Sequence, residues 1–204
     1  MSEVRICGVK DVAATVEQYK IKKILSCLSN YKIIDEMYGL TPALMSLDPA
    51  YWRDSSNWLR LNMEDTVKPD GANAPTNDEV VKGINFGANA IKTGNNLLVH
   101  CQLGFSRSPA MAIGSIISAG DTIENAYRRA ESAAPAKIDP NALIIQIIDN
   151  HLKLNGELIR YNDEYRKNIS SGLKREYKKL MESYIGDTNT LSIILDNISA
   201  LDRL

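Results

Sequence analysis

The chain has 204 residues, of which 44% are hydrophobic and 24% are charged, the composition of one globular domain with a substantial core. Its formal net charge of −1 provides no basic field that would attract nucleic acid or an anionic membrane surface. No apolar run approaches the roughly 18 residues of a transmembrane helix, and the start lacks the layout of a signal peptide. The three cysteines show no regular spacing, so we expect a cytoplasmic, reducing environment.

The first third of the chain is predicted to alternate strands with helices. The patterns of apolar residues predict a strand over 4–9, a helix over 16–29, a strand over 31–34, a loop region with room for one helical turn over 41–57, and a strand over 58–63. The polar segment 64–75, EDTVKPDGANAP, contains Gly and two prolines and is a candidate functional loop.

The middle of the chain has clearer helix boundaries. Thr76 and Glu79 match a capping box, which predicts a helix that continues to Gly94. The apolar run 97–99 predicts a buried strand. Three further helices are predicted over 109–119, over 122–133 with Thr122 as N-cap, and from Asp139 as N-cap, with Pro140 at the first helical position, to near Gly156.

The tail differs in composition from the rest of the chain. It contains two amphipathic segments, which predict helices over 173–185 and 190–202. The order of elements predicts an α/β fold, a single three-layer domain with a mainly parallel central sheet of four to five strands flanked by helices. We expect a catalytic domain over 1–156 and a helical C-terminal extension over 157–204, which packs on the domain or joins two copies in a homo-oligomer.

The segment that carries chemistry follows the predicted strand 97–99. Cys101 stands at the carboxyl end of that strand, where open α/β sheets place their sites. The loop that follows can direct its backbone N–H groups at one point, and Gly104 permits the positive φ that such an anion nest needs. Arg107 opens the next helix and can bind two oxygens of a tetrahedral oxyanion. These positive neighbours favour a thiolate at Cys101, and the pattern predicts a phosphate site with a nucleophilic sulfur.

The residues from His100 to Ser108, HCQLGFSRS, look like the HCxxGxxR[ST] signature of the cysteine-dependent protein tyrosine phosphatases. The Gly-x-Ser-Arg-Ser-Pro ending resembles the dual-specificity branch most. The likeness extends over about residues 4–154, with an Asp-Thr pair upstream and Pro140-Asn141 downstream, and it covers nothing after about residue 156. It implies a phosphoric monoester hydrolase that works through a phosphocysteine intermediate, with a phosphorylated protein or another phosphomonoester as its partner and with no cofactor.

The resemblance implies a role for each residue of this segment. Cys101 is the nucleophile, Ser108 hydrogen-bonds its sulfur and assists its departure, and His100 and Asn141 hold the loop in place. The substrate phosphate is bound by Arg107 and the loop residues Gln102, Leu103, Gly104, Phe105 and Ser106.

A general acid is still required, and the polar loop 64–75 offers candidates. The resemblance places the acid at Asp65, directly after the predicted strand 58–63, and Asp70 is the alternative. The chain has no CxxC, HxxxH or GxxxxGK[ST] pattern, so we expect no metal site and no nucleotide-hydrolysing loop.

Family members that act on phosphoinositides usually have lysines in this loop, whereas the variable positions 102, 103, 105 and 106 carry no charge. The resemblance therefore argues against a polyphosphorylated inositol substrate. Phosphotyrosine proteins, or a mixture of phosphotyrosine, phosphoserine and phosphothreonine proteins, are therefore the expected substrates. Two other hypotheses stay open: a rhodanese-like or Cdc25-like enzyme, which also has a cysteine in a short anion-binding loop, and a phosphate-binding module without turnover.

Overall fold

A computed structural model of the chain describes residues 2–183 and shows a parallel four-stranded sheet. The strands are β1 (Val4–Gly8), β2 (Lys23–Leu28), β3 (Trp58–Asn62) and β4 (Leu97–Cys101), in the order β1-β4-β2-β3. Each neighbouring pair is parallel, and β4 lies between β1 and β2. The predicted α/β class with a parallel central sheet is confirmed.

Helices cover both faces of this sheet. Their bounds are α1 (Val12–Tyr19), α2 (Tyr31–Tyr38), α3 (Leu40–Leu47), α4 (Pro49–Arg53), α5 (Asn77–Lys92), α6 (Arg107–Ser118), α7 (Ile123–Ala133), α8 (Ala142–Leu152) and α9 (Glu157–Ser183). A short 3₁₀ turn over Val9–Asp11 joins β1 to α1. Within residues 2–183, no helix combines the length and the apolar character needed to cross a membrane.

The two hydrophobic cores show how β2 serves both faces of the sheet. Leu25 and Cys27 pack into the core formed with α5 to α8, whereas Ile24 and Leu28 pack into the core formed with α1, α3 and α4. All four side chains are fully buried. Because both faces are covered, apolar residues occupy successive positions of the strand, interrupted by Ser26, and do not alternate regularly with polar ones.

This double burial explains an error of the sequence analysis. The predicted helix over 16–29 and strand over 31–34 are wrong: α1 begins at Val12 and ends at Tyr19, residues Lys23–Leu28 form β2, and residues Tyr31–Tyr38 form α2. The segment that ends in Leu28 has apolar spacing compatible with either structure, and its pairing with β3 and β4 decides for a strand.

The predicted loop over 41–57 is also wrong, because α3 and α4 occupy most of it. The polar residues that suggested a loop act at helix ends. Asp48 is the N-cap of α4 and accepts a hydrogen bond from the Tyr51 N–H at 3.0 Å, and Pro49 stands at the first helical position.

The cap predictions have mixed outcomes. The capping box of Thr76 and Glu79 and the N-cap Thr122 are confirmed. The predicted N-cap Asp139 is wrong: Asn141 caps α8 by accepting from the Ile144 N–H at 3.1 Å, while the Asp139 carboxylate pairs with Arg166 of α9. Pro140 favours an extended backbone at Asp139, the residue before it, and the side-chain amide of Asn141 provides the cap.

The C-terminal helix begins earlier than predicted. α9 starts at Glu157, so the helix expected from 173 is the continuation of a longer one. Leu158 is fully buried in the core beside α8. The helix predicted over 190–202 lies outside the described residues.

Candidate active site

Cys101 is the last residue of the central strand β4 and is only 1% exposed. Its Sγ accepts a hydrogen bond from the Gly104 N–H and another from the Ser108 hydroxyl, each at 3.2 Å. Both donors stabilise negative charge on sulfur, because they interact more strongly with a thiolate than with a thiol. Gly104 and Ser108 are therefore both in contact with the Cys101 sulfur.

The loop between Cys101 and α6 bends back against the end of β1. Gly104 has a φ of +82°, and a Cβ at this position would lie 2.7 Å from the Cys7 carbonyl carbon and 2.8 Å from the Gly8 nitrogen. The Val9 N–H also donates to the Gln102 carbonyl at 3.1 Å. Glycine is required here both for the positive φ and for the close approach of two backbone segments.

The side chains of the loop face inward to different degrees. Gln102, Phe105 and Ser106 are buried, and Leu103 is half-buried. The backbone and Arg107 are consequently the groups of this loop best suited to bind an anion, as in other backbone nests.

Arg107 is the first residue of α6 and is 1% exposed. Its Nη1 donates to the Met63 carbonyl at 2.8 Å, which fixes the guanidinium against the end of β3. Its Nε makes no hydrogen bond to any of residues 2–183 and lies 3.9 Å from Asp65 Oδ2. A buried guanidinium with N–H capacity left over is suited to bind phosphate oxygens.

The structure brings Asp65 to the loop and leaves Asp70 exposed. The Asp65 side chain is 5% exposed, and its Oδ1 accepts from the Ser106 hydroxyl at 2.8 Å and from Asn141 Nδ2 at 2.9 Å. Asn141 Nδ2 also donates to the Thr66 carbonyl at 3.1 Å. Three segments that are distant in sequence therefore meet at one carboxylate.

His100 directly precedes Cys101 in β4, and its side chain contacts Ser26 of β2. Its Nε2 lies 2.6 Å from the Ser26 hydroxyl, which accepts a hydrogen bond from Trp58 Nε1 at 2.7 Å. Burial lowers the pKa of His100 from its usual 6.5 to about 4, so the ring is neutral at pH 7. Ser26 and Trp58 were not predicted as neighbours of His100, because only the pairing of β2 with both β3 and β4 brings them to it.

The other two cysteines are buried thiols beside the site. Burial raises the pKa of Cys7 to about 12, and burial also raises the pKa of Cys27. Both thiols are therefore neutral at pH 7, whereas the Cys101 sulfur accepts hydrogen bonds from Gly104 and Ser108. Within residues 2–183, no group of three His, Cys, Asp or Glu side chains is arranged to hold a metal ion.

Comparisons with known proteins agree with the fold. No protein-family model matches the sequence, and no curated protein matches it either. The structure is similar to PTP-2 phosphatase of Cydia pomonella, with a TM-score of 0.52 and 18% identity over 74% of this chain and 86% of that one. It is also similar to PTPMT1, with a TM-score of 0.53 and 17% identity over 79% and 95% of the two chains.

A third similar structure is human DUSP28, with a TM-score of 0.50 and 15% identity over 74% of this chain and 92% of that one. At these identities the likeness concerns the fold, and it extends over most of each matched structure. The chain therefore has the fold of these three phosphatase structures, which agrees with the resemblance of the HCQLGFSRS segment.

Proposed function

We propose that the protein is a phosphatase that hydrolyses phosphate monoesters through a phosphocysteine intermediate at Cys101. The observation that supports this most directly is the environment of the sulfur: Sγ accepts hydrogen bonds from Gly104 and Ser108 at the carboxyl end of β4. A buried Arg107 that begins the next helix supplies the charge needed to hold a phosphate beside it.

In the first step, the loop amides and Arg107 hold the phosphate in line with the thiolate. The Cys101 sulfur attacks phosphorus, so an S–P bond forms while the P–O bond to the leaving group breaks. Asp65 gives its proton to the leaving oxygen, which departs as an alcohol or phenol.

The contacts of Asp65 indicate which oxygen carries this proton. Oδ1 already accepts two hydrogen bonds, from Ser106 and Asn141, so a proton there would displace a donor. Oδ2 accepts neither of these bonds and lies on the side of Arg107, whose Nε is 3.9 Å away. We therefore assign the transferred proton to Oδ2.

In the second step, water attacks the phosphocysteine and passes a proton to the Asp65 carboxylate. The S–P bond breaks, inorganic phosphate is released, and the Ser108 hydroxyl donates to the departing sulfur at the position it already occupies, 3.2 Å from Sγ. The site is thereby returned to its starting protonation state.

The substrate is proposed to be a phosphorylated protein, carrying phosphotyrosine alone or a mixture of phosphotyrosine, phosphoserine and phosphothreonine. The variable loop positions 102, 103, 105 and 106 provide no cation for a second or third phosphate. A nucleophilic thiol also needs a reducing compartment, which supports a cytoplasmic location.

The test compares hydrolysis of aryl phosphates by the wild type, Cys101→Ser and Asp65→Asn. Cys101→Ser should be inactive and still bind inorganic phosphate or vanadate. Asp65→Asn should lose 10²- to 10⁴-fold on a poor leaving group and less on a good one. Asp70→Asn is the matched control, an exposed carboxylate of the same loop, and should keep full activity.

Any other result would support a different mechanism or a different function. An active Cys101→Ser variant would refute the mechanism, and a loss of activity in Asp70→Asn with a normal Asp65→Asn would move the acid to Asp70. Sulfurtransferase activity without phosphatase activity would favour the rhodanese-like alternative, and phosphate binding without turnover would favour a binding module.

A further inference from the structure

A buried ion pair joins the C-terminal helix to the segment that precedes α8. Arg166 Nε of α9 donates to Asp139 Oδ1 at 2.6 Å, and the two side chains are 9% and 2% exposed. Separating two buried charges is strongly destabilising, because each would be left without compensation inside the protein. The ion pair therefore restrains the position of the Asp139 backbone.

The backbone around Asp139 in turn holds the phosphate loop. The Asp139 N–H donates to the Phe105 carbonyl at 2.7 Å, and the Asn141 N–H donates to the Ser106 carbonyl at 3.2 Å. The Asn141 side chain reaches the acid Asp65 at 2.9 Å. The segment 139–141 therefore contacts both halves of the proposed catalytic machinery, the loop and the acid.

α9 is anchored independently of Arg166. The Asp149 carboxylate accepts from the Leu158 N–H at 2.9 Å where α9 begins, and Leu158 is fully buried. One turn later Tyr127 donates to Asn162 Oδ1 at 2.8 Å inside the protein. The helix is thus held in place by contacts other than Arg166, and through Arg166 it contacts the segment 134–141, which has no helix or strand of its own.

We propose that α9 braces the active site through Arg166, which acts as a positioning residue for the phosphate loop and for Asp65 by way of Asp139. The proposal rests on the function proposed above and adds that the C-terminal extension is part of the catalytic unit. Loss of Arg166 removes the ion pair that holds the buried Asp139 carboxylate, and we expect the segment 139–141 to shift as that carboxylate changes its contacts.

The experiment measures kcat and KM for an aryl phosphate in Arg166→Met. Arg160→Met is the matched control, since Arg160 is exposed on the same helix and donates a long, 3.4 Å hydrogen bond to the Asn155 carbonyl. We expect Arg166→Met to lower kcat at least 10-fold with a smaller change in KM and a larger loss on poor leaving groups, and Arg160→Met to match the wild type. Arg166→Lys should recover part of the lost kcat.

A folded Arg166→Met protein with wild-type kcat and leaving-group dependence would overturn the proposal. If Arg166→Met does not fold, the double variant Arg166→Met/Asp139→Asn removes both charges of the buried pair, and its kcat decides in the same way. If the wild type hydrolyses no ester, the proposed function fails, and the brace is measured by hydrogen exchange of the amides of residues 102–106. Faster exchange in Arg166→Met than in Arg160→Met supports the brace, and equal exchange refutes it.

Discussion

Gly104→Ala tests whether the shape of the phosphate loop depends on its packing against β1. The added methyl group would meet backbone atoms of Cys7 and Gly8 at 2.7–2.9 Å, and these atoms cannot rotate away. The positive φ of +82° adds strain for any residue with a Cβ, roughly 1–2 kcal/mol. A steric misfit in a packed site adds about 1–3 kcal/mol. The variant must therefore relax by moving the loop.

Gly94→Ala separates the two effects. Gly94 also has a positive φ, +76°, but a Cβ there would meet no atom within 4 Å. The strain energy should destabilise both variants, and each kcal/mol lowers Tm by roughly 2–4 °C for a domain of this size. Gly104→Ala alone should also lose vanadate affinity and kcat, because its amide no longer reaches the Cys101 sulfur. Wild-type vanadate affinity in a folded Gly104→Ala protein would refute this reasoning.

Three further predictions concern other contacts of the site. Because the pKa of His100 is about 4 in the folded state and 6.5 in the free residue, the unfolded chain binds more protons between these values. The contribution of His100 to the free energy of unfolding should be fully present above pH 7 and should decrease by on the order of 3 kcal/mol as the pH drops to 4. Denaturant titrations should show a smaller decrease in His100→Gln. Iodoacetate at pH 7.5 should alkylate Cys101 before Cys7 and Cys27, as measured by peptide mass spectrometry. Inorganic phosphate should slow only the reaction of Cys101. Equal labelling of all three cysteines would contradict the assignment of Cys101 as the nucleophile. Asn141→Ala should lower the free energy of unfolding by about 1 kcal/mol through the lost cap and reduce kcat most on poor leaving groups; an unchanged leaving-group dependence would show that the amide does not orient the acid.

The part of the site that could be predicted from sequence is contained in one continuous segment. Cys101, Gly104 and Arg107 are separated by fixed short spacings, and a strand before them and a helix after them determine their relative positions. The contacts among these residues follow from local geometry, which is why their proximity could be predicted from the motif.

The remaining contacts depend on the tertiary fold. Asp65 meets Asn141 across 76 residues, and His100 meets Ser26 across 74. No spacing in the sequence marks such pairs. Arg166 was missed for a similar reason, since a charged residue on an amphipathic helix looks solvated until the fold shows Asp139 beneath it.

The errors in the fold came from short segments whose pattern fits two structures. A strand buried on both faces, such as β2, lacks the alternation that identifies most strands. The polar residues Asp48 and Pro49, which suggested a loop, instead mark the start of α4. Strand pairing decides the structure of β2, and helix capping decides that of α4.

If phosphate passes through Cys101, rapid-quench trapping detects it on that residue. The protein is mixed with an aryl phosphate labelled on phosphorus, quenched within the first turnover and digested, and the label is located by peptide mapping. We predict label on the peptide containing Cys101 in the wild type and in Asp70→Asn, and none in Cys101→Ser. Hydrolysis by the wild type without label on Cys101, together with hydrolysis by Cys101→Ser, would contradict the account.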